Sequence, residues 1–263
     1  MATITETATH FYGHGQSWLL PRTTGGAIDV TAATGISLPE VDSVEVTFEN
    51  EKVEHVSKRD AMASVNLSVV KMVKGMLKIT CSQHVADLLA LYLFGTKTAI
   101  AGGTVTAVSF DSGIVANAFV PFPGDRTNFS TFTSIIDSAG SPATLTQGTD
   151  YLVDEKAGMV KFLIVSGFTQ PFKVTGVEAA GNGVGLIQSR VQEKWLRHKA
   201  INIANSDAVE VLDLYRVQID PASSWTLVND GNDVQKYEIG GQLLKDTTKS
   251  SSATFGQYGR LRQ

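Results

Sequence analysis

The tightest constraint on this chain is a run of strict two-residue alternation. From Ser43 onward, Val44, Val46 and Phe48 fall on one side and Glu45, Thr47 and Glu49 on the other. That is the period of a half-buried β-strand, and it places the three apolar side chains against a core. The next stretch, EKVEHVSKR over residues 51–59, is polar and strongly charged and reads as a long solvated hairpin tip. A second alternation follows through Val65, Leu67 and Val69. A further strand is expected over residues 76–81, where Leu77, Ile79 and Cys81 share a face opposite Lys78 and Thr80, and a meander is the simplest way to connect these strands.

One helix is expected, over residues 82–94. Ser82 is a good N-cap, Val85, Leu88, Leu89 and Tyr92 recur at helical spacing, and Gly95 supplies a stop. No Glu or Gln stands three residues after Ser82 to complete a capping box, which leaves Gln83 open as the start. After Lys97 the composition turns to Ala, Gly, Thr, Pro and Ser, marking residues 98–171 as a small β-rich insertion lobe between 1–97 and 172–263. Within it, residues 150–153 and 159–162 flank a turn whose Gly158 is expected at positive φ. Residues 122–148 carry little pattern and read as loop.

Strand signals return at 172–179, 190–203 and 209–219, the last apolar on both faces as if held between two layers. Asp220-Pro221 ends it, Asn229-Asp230-Gly231 marks a turn, and residues 236–244 form a last strand with a bulge expected at Gly240-Gly241. The tail beyond Asp246 is expected to be mobile or ordered only by neighbours. The fold class is therefore mainly β: packed sheets forming a barrel or sandwich, with one flanking helix.

Composition narrows the function. Of 263 residues, 43% are hydrophobic and 18% charged, which excludes a disordered chain, and the 24 glycines suit short strands and turns. A net charge of −4 does not suit a tight nucleic-acid binder. Cys81 is the only cysteine, so an internal disulfide and a multi-cysteine metal site are excluded, and assembly in a reducing cytoplasm fits. The first eleven residues lack the basic start and apolar run of a secretory signal. The longest apolar stretch, 85–94, is too short to cross a bilayer, so a soluble protein without membrane partners is expected.

Candidate chemistry is sparse. His10 and His14 stand four apart, but Tyr12 and Gly13 argue against a helix that would bring them together, and further ligands are wanting. Gly181-Asn182-Gly183-Val184-Gly185 looks like half of a dinucleotide fingerprint without its strand-to-helix frame, and reads as a turn. A helix N-terminus just after Cys81 could lower the thiol pKa, yet His84 cannot be identified as its base, and a buried small side chain is the plainer reading. Glu45 and Glu49 share a strand face and meet solvent. No catalytic, cofactor or metal site is expected, and no enzyme.

The stretch EVTFENEKVEHVSKRDAMASVNLSVVKMVKGMLKITCSQHVADLLALYLFG resembles the N-terminal half of bacteriophage tail tube proteins in its order of strand, charged hairpin, strand, strand and helix. WLRHKAINIANSDAVEVLDLYRVQIDPASSWTLVNDGNDVQKYEIGGQLLKD resembles their closing strands, FGQYGRL their ending, and GTDYLVDEKAGMVKF a hairpin many of them carry. The rest of the insertion departs from the pattern. The resemblance implies a structural subunit that self-assembles into stacked hexameric rings, lining a channel through which double-stranded DNA passes without specific binding. It implies tape-measure, baseplate or hub, and tail-terminator proteins as partners, and a place in the virion after assembly in the host cytoplasm. An acidic lumen would let phosphate slide, with Glu45, Thr47 and Glu49 as candidate lining.

On that reading the contacts between subunits come from three places. The charged hairpin offers Glu49, Glu51, Lys52, Glu54, His55, Lys58, Arg59 and Asp60. The N-terminal arm offers Phe11, Tyr12 and Arg22, and the C-terminal tail Phe255, Tyr258 and Arg260. Open strand edges in such a subunit are either protected or used to add strands to a neighbour. The competing expectation is a β-sandwich carbohydrate- or receptor-binding module of a phage tail, with Trp18, Trp195 or Trp225 as its aromatic platform.

Overall fold

A computed structural model describes residues 11–32, 35–57, 64–190, 192–228, 231, 234–249 and 256–263. In chain order the elements are β1 (Gly13–Pro21), β2 (Ile36–Leu38), β3 (Val41–Ser57), β4 (Ser64–Cys81), α1 (Ala86–Tyr92), β5 (Thr96–Ile100), β6 (Gly103–Ser109), β7 (Phe119–Pro121) and β8 (Phe129–Ile136). They continue as β9 (Tyr151–Asp154), β10 (Met159–Phe162), β11 (Lys173–Glu178), β12 (Gly181–Gly185), β13 (Glu193–Asn202), β14 (Ala208–Ile219), β15 (Tyr237–Leu243) and β16 (Gly259–Arg262). The protein is mainly β, with packed antiparallel sheets, one α-helix and no closed barrel among the described residues.

The chain divides into two compact units, Met1–Lys97 with Val184–Gln263, and Thr98–Gly183. The first is built on an eight-stranded sheet ordered β2-β1-β13-β14-β15-β4-β3, with β16 paired to β14. Its two edge strands, β2 and β3, are consecutive in the chain, and the start of β3 lines a cleft with Gly13 and Gly15 of β1, so the sheet curls strongly. Alternation explains the core: Leu77, Ile79 and Cys81 of β4 meet Leu196 of β13, Val217 and Ile219 of β14 and Ile239 of β15, with Leu88, Leu91 and Tyr92 of α1 laid over them. Gly241 has no Cβ for a packing reason, since one would stand 2.7 Å from the carbonyl oxygen of Gln218 on β14.

The second unit holds two three-stranded sheets, β7-β10-β9 and β6-β11-β8, around a core of its own rich in phenylalanine. Phe162 stacks on Phe172 with ring centroids 4.8 Å apart, and Phe122 meets Phe129 at 4.6 Å. The turn between β9 and β10 has Gly158 at φ +66°, as the sequence predicts. β5 and β12 pair as a two-stranded ribbon.

Several expectations are corrected. The helix starts at Ala86, not Ser82, because the Ser82 hydroxyl is drawn to the Glu40 carbonyl (3.4 Å) and the Asp42 carboxylate (3.2 Å). The second unit runs to Gly183 rather than 171, since β11 pairs with both β6 and β8. The stretch 122–148 contains a full strand, β8, and the glycines of 181–185 form strand β12 rather than a turn. The simple meander fails: β4 is one strand from Ser64 to Cys81, and its other neighbour is β15, far along the chain. Gly240-Gly241 makes no bulge, for β15 runs in unbroken register with β4. Within the C-terminal tail, Gly259–Arg262 pairs with β14 of its own subunit as β16.

Candidate functional site

β3 and β4 are 17 and 18 residues long, far more than the sheet needs. Their pairing runs from Val41 opposite Cys81 to Ser57 opposite Ser64, whereas β15 covers β4 only between Gly75 and Cys81. Among the described residues, the two strands beyond Gly75 form a bare two-stranded ribbon, and β3 has no strand on its outer edge. The ribbon is irregular in two places, where Lys71 and Asn66 are extra residues on β4. Such bulges set two residues opposite one, bend the strand and add twist.

The sequence expects a polar protrusion. The expected charges are exposed on it, and both faces carry exposed apolar side chains as well: Val53 and Val56 on β3, and Val65, Leu67, Val69, Val70, Met72 and Val73 on β4. Phe48, expected in the core, is 68% exposed, because the core ends at Val46 while the strand goes on. Charges are interleaved: Lys71 Nζ reaches Glu51 Oε1 at 2.9 Å, and His55 Nδ1 shares a hydrogen bond with Asn66 Oδ1 at 2.8 Å. The signal that sequence reasoning passed over is the adjacent apolar pairs, Val69-Val70 and Met72-Val73. Strict alternation buries one face; such pairs put apolar side chains on both faces.

Of the expected contact residues, Glu49, Glu51, Lys52, Glu54 and His55 lie exposed on this ribbon. Lys58, Arg59, Asp60 and Phe255 lie outside the described residues. Phe11 and Tyr12 are exposed ahead of β1, although the Tyr12 amide donates to Asn202 Oδ1 at 3.1 Å. The described part of the expected N-terminal arm is largely β1, paired along its whole length with β13. Arg22 is turned inward, 2.8 Å from the buried carboxylate of Asp246 and 3.4 Å from Glu193, which also takes two hydrogen bonds from Arg216. Tyr258 is exposed, but Arg260 is turned inward and holds Asp213 at 2.8 Å.

Asp213 is the electrostatic centre of the C-terminal half. It is buried on β14 and takes Arg197 of β13 at 2.6 and 3.1 Å besides Arg260 of β16. Burial alone would push its carboxyl up; the hydrogen bonds and charges of the two guanidinium groups outweigh that and hold it below the usual carboxylate range. Asp246 follows the same logic, burial opposed by hydrogen bonds from Thr248 and Arg22, with a net lowering.

The expected lumen residues Glu45 and Thr47 open onto a groove with Met76, Lys78 and Glu238, walled by the segment after Asp220. Its floor is not uniformly acidic. Lys78 pairs with Glu238 at 2.9 Å and stands opposite Glu45, and Lys74 stands opposite Glu49.

The other candidates do not assemble into catalytic machinery. Cys81 is buried, and burial, followed by the Asp42 charge, pushes its thiol up to about 11, the reverse of what a helix N-terminus would do. His84 instead shares a hydrogen bond with the Tyr237 hydroxyl. Ser17 and His198 Nδ1 lie 2.8 Å apart, a pairing the sequence does not disclose, and Ser17 is fully buried. His14 is exposed beside Tyr12, and His10 lies outside the described residues. Among the described residues no three His, Cys, Asp or Glu side chains are grouped to hold a metal ion. Trp195 is buried with Lys249 over its ring, and Trp18 and Trp225 are half-buried.

A family model described as Protein of unknown function UCP028589 matches residues 10–262, and the chain belongs to that family. No curated protein matches it.

Proposed function

Starting from a family that brings no activity with it, we propose that this chain is a self-assembling structural subunit of the kind that builds a bacteriophage tail tube. The observation that carries the reading is the bare β3–β4 ribbon with its open outer edge. An isolated two-stranded hairpin is marginal in water, and a ribbon that exposes apolar side chains beside unpaired backbone is an aggregation hazard unless something covers it. Another copy is the economical cover, because every copy brings the same edge and the same apolar faces.

Magnitudes favour many contacts over one. Burying the ribbon's apolar side chains at roughly 1.5–3 kcal/mol each gives a gross gain on the order of 10 kcal/mol. Fixing two subunits together costs roughly 4–15 kcal/mol. One ribbon therefore makes a weak dimer, whereas a ring or stacked array, in which each subunit both gives and receives a ribbon, is stable. Stacked hexameric rings around a DNA channel, as the resemblance implies, meet that condition, with the charge-paired strip at Glu45, Thr47 and Lys78 as the candidate lining.

The test replaces residues 51–72 by Asn-Gly, a two-residue turn that closes Asn50 onto Val73 in the existing register. The expected result is a folded monomer by sedimentation and circular dichroism, while the full chain forms tubes in negative-stain images. Normal tubes from the shortened chain would refute the reading.

A further inference from the structure

Among the described residues of the first unit, Lys194 is a largely buried lysine whose amine has no recorded hydrogen-bond or ionic partner. Lys194 sits on β13 at the same parity as Leu196, is 7% exposed, and lines a cleft that opens to solvent. No hydrogen bond or ion pair joins it to another described residue. This is unusual, because buried ammonium groups are almost always paired. Burial alone pushes its pKa below the ordinary lysine range, with no carboxylate to oppose it. The other buried ionic groups of this unit, Asp213 and Asp246 with Arg22, all have opposite charges within hydrogen-bond reach.

Lys194 lines a cleft of about 420 Å³ between β2, α1 and the start of β13. Ile36, Ala90 and Leu91 give it apolar walls, and Ser189, Gln192 and Thr96 supply hydroxyl and amide groups. At the rim, Asp87 and Lys97 neutralise each other at 2.9 Å, so neither answers the charge inside. One apolar wall, a few convergent polar groups and one charge left unanswered are features of a small-molecule site.

We propose that this cleft binds a small organic carboxylate, with its carboxylate on Lys194 Nζ and its apolar body against Ile36, Ala90 and Leu91. The anion supplies a counter-charge for the amine, and the apolar body covers the cleft's apolar wall. The chemistry selects an acid with a hydrocarbon portion over an inorganic anion. The site is independent of the ribbon, which lies elsewhere on the sheet, and does not rest on the assembly reading.

The test is calorimetric titration of the full chain at pH 7 with 3-phenylpropionate, using 3-phenylpropionamide as the neutral control. The acid is expected to bind saturably. The amide, and the acid on Lys194→Met, are expected to bind about tenfold more weakly or not at all, the loss of one charge-assisted hydrogen bond. Binding is also expected to weaken as pH rises, since the anion needs the protonated amine. Should Lys194→Met fail to fold, the thermal midpoint of the unmodified chain serves: it should rise with the acid and stay put with the amide. A flat titration, equal binding of acid and amide, or undiminished affinity in Lys194→Met would overturn the proposal.

Discussion

At the scale of single residues, charge burial sorts the structure into positions that stabilise and one that does not. Asp213 joins three strands through two arginines, and replacing it by Ala removes the buried carboxylate that both guanidinium groups bind. A loss of about 3 kcal/mol is expected in chemical denaturation, the size typical of breaking a buried pair. Its folded pKa lies below the usual value of about 3.9. Its contribution is therefore complete above that pH and lost as pH falls through the lower, folded value, so wild type and Asp213→Ala should converge in strongly acidic solution. Lys194 has the opposite sign. Its pKa is lowered, the unfolded chain holds the proton more tightly, and stability should rise with pH as the folded amine deprotonates. Lys194→Met is expected to be more stable than wild type at pH 7, with the gap closing near pH 10, which thermal unfolding at the two pH values would measure. Neither role is legible in the sequence. Asp213 sits within an ordinary strand pattern and its partners lie 16 and 47 positions away. Lys194 differs from a surface lysine only in sharing the inward parity of Leu196.

At the scale of elements, alternation located most strands but not what each face meets. Val44 and Val46 pack against the core as the period requires, whereas Val65, Leu67 and Val69 carry the same period and are exposed. A sequence pattern states that a face is apolar; it cannot state whether the cover comes from the same chain or another. The helix start was misplaced for a similar reason, since Ser82 had a better acceptor in Glu40, brought near only by the fold. β16 was missed because four residues with two arginines look like a frayed tail until Asp213 is beneath them. Deleting residues 256–263 should therefore do more than trim a terminus. It strips the cover from one half of β14 and removes Arg260, and a clear fall in the unfolding midpoint is expected. On the ribbon, Leu67→Lys with Val69→Lys should leave the midpoint within about 0.5 kcal/mol of wild type, as for exposed positions generally, yet weaken self-association sharply in sedimentation.

At the scale of the whole molecule, two units with separate cores imply two separately stable bodies. Residues 98–183 bury Phe122, Phe129, Phe162 and Phe172 among themselves. Expressed alone they are expected to unfold cooperatively, and Phe162→Ala should cost about 3–5 kcal/mol. The compositional shift after Lys97 announced this unit, but its end was hidden because β11 and β12 look like any other strands. The larger unit presents long apolar strands that its own core cannot cover, and identical copies are the cover we assign to them. Hydrogen–deuterium exchange of the full chain across a concentration series tests that assignment at the edge itself. The amides of residues 49–56 should exchange quickly in dilute solution and become strongly protected as protein concentration rises, while residues 98–183 stay unchanged. Equal and concentration-independent exchange along β3, at concentrations where the chain remains dispersed, would contradict the account.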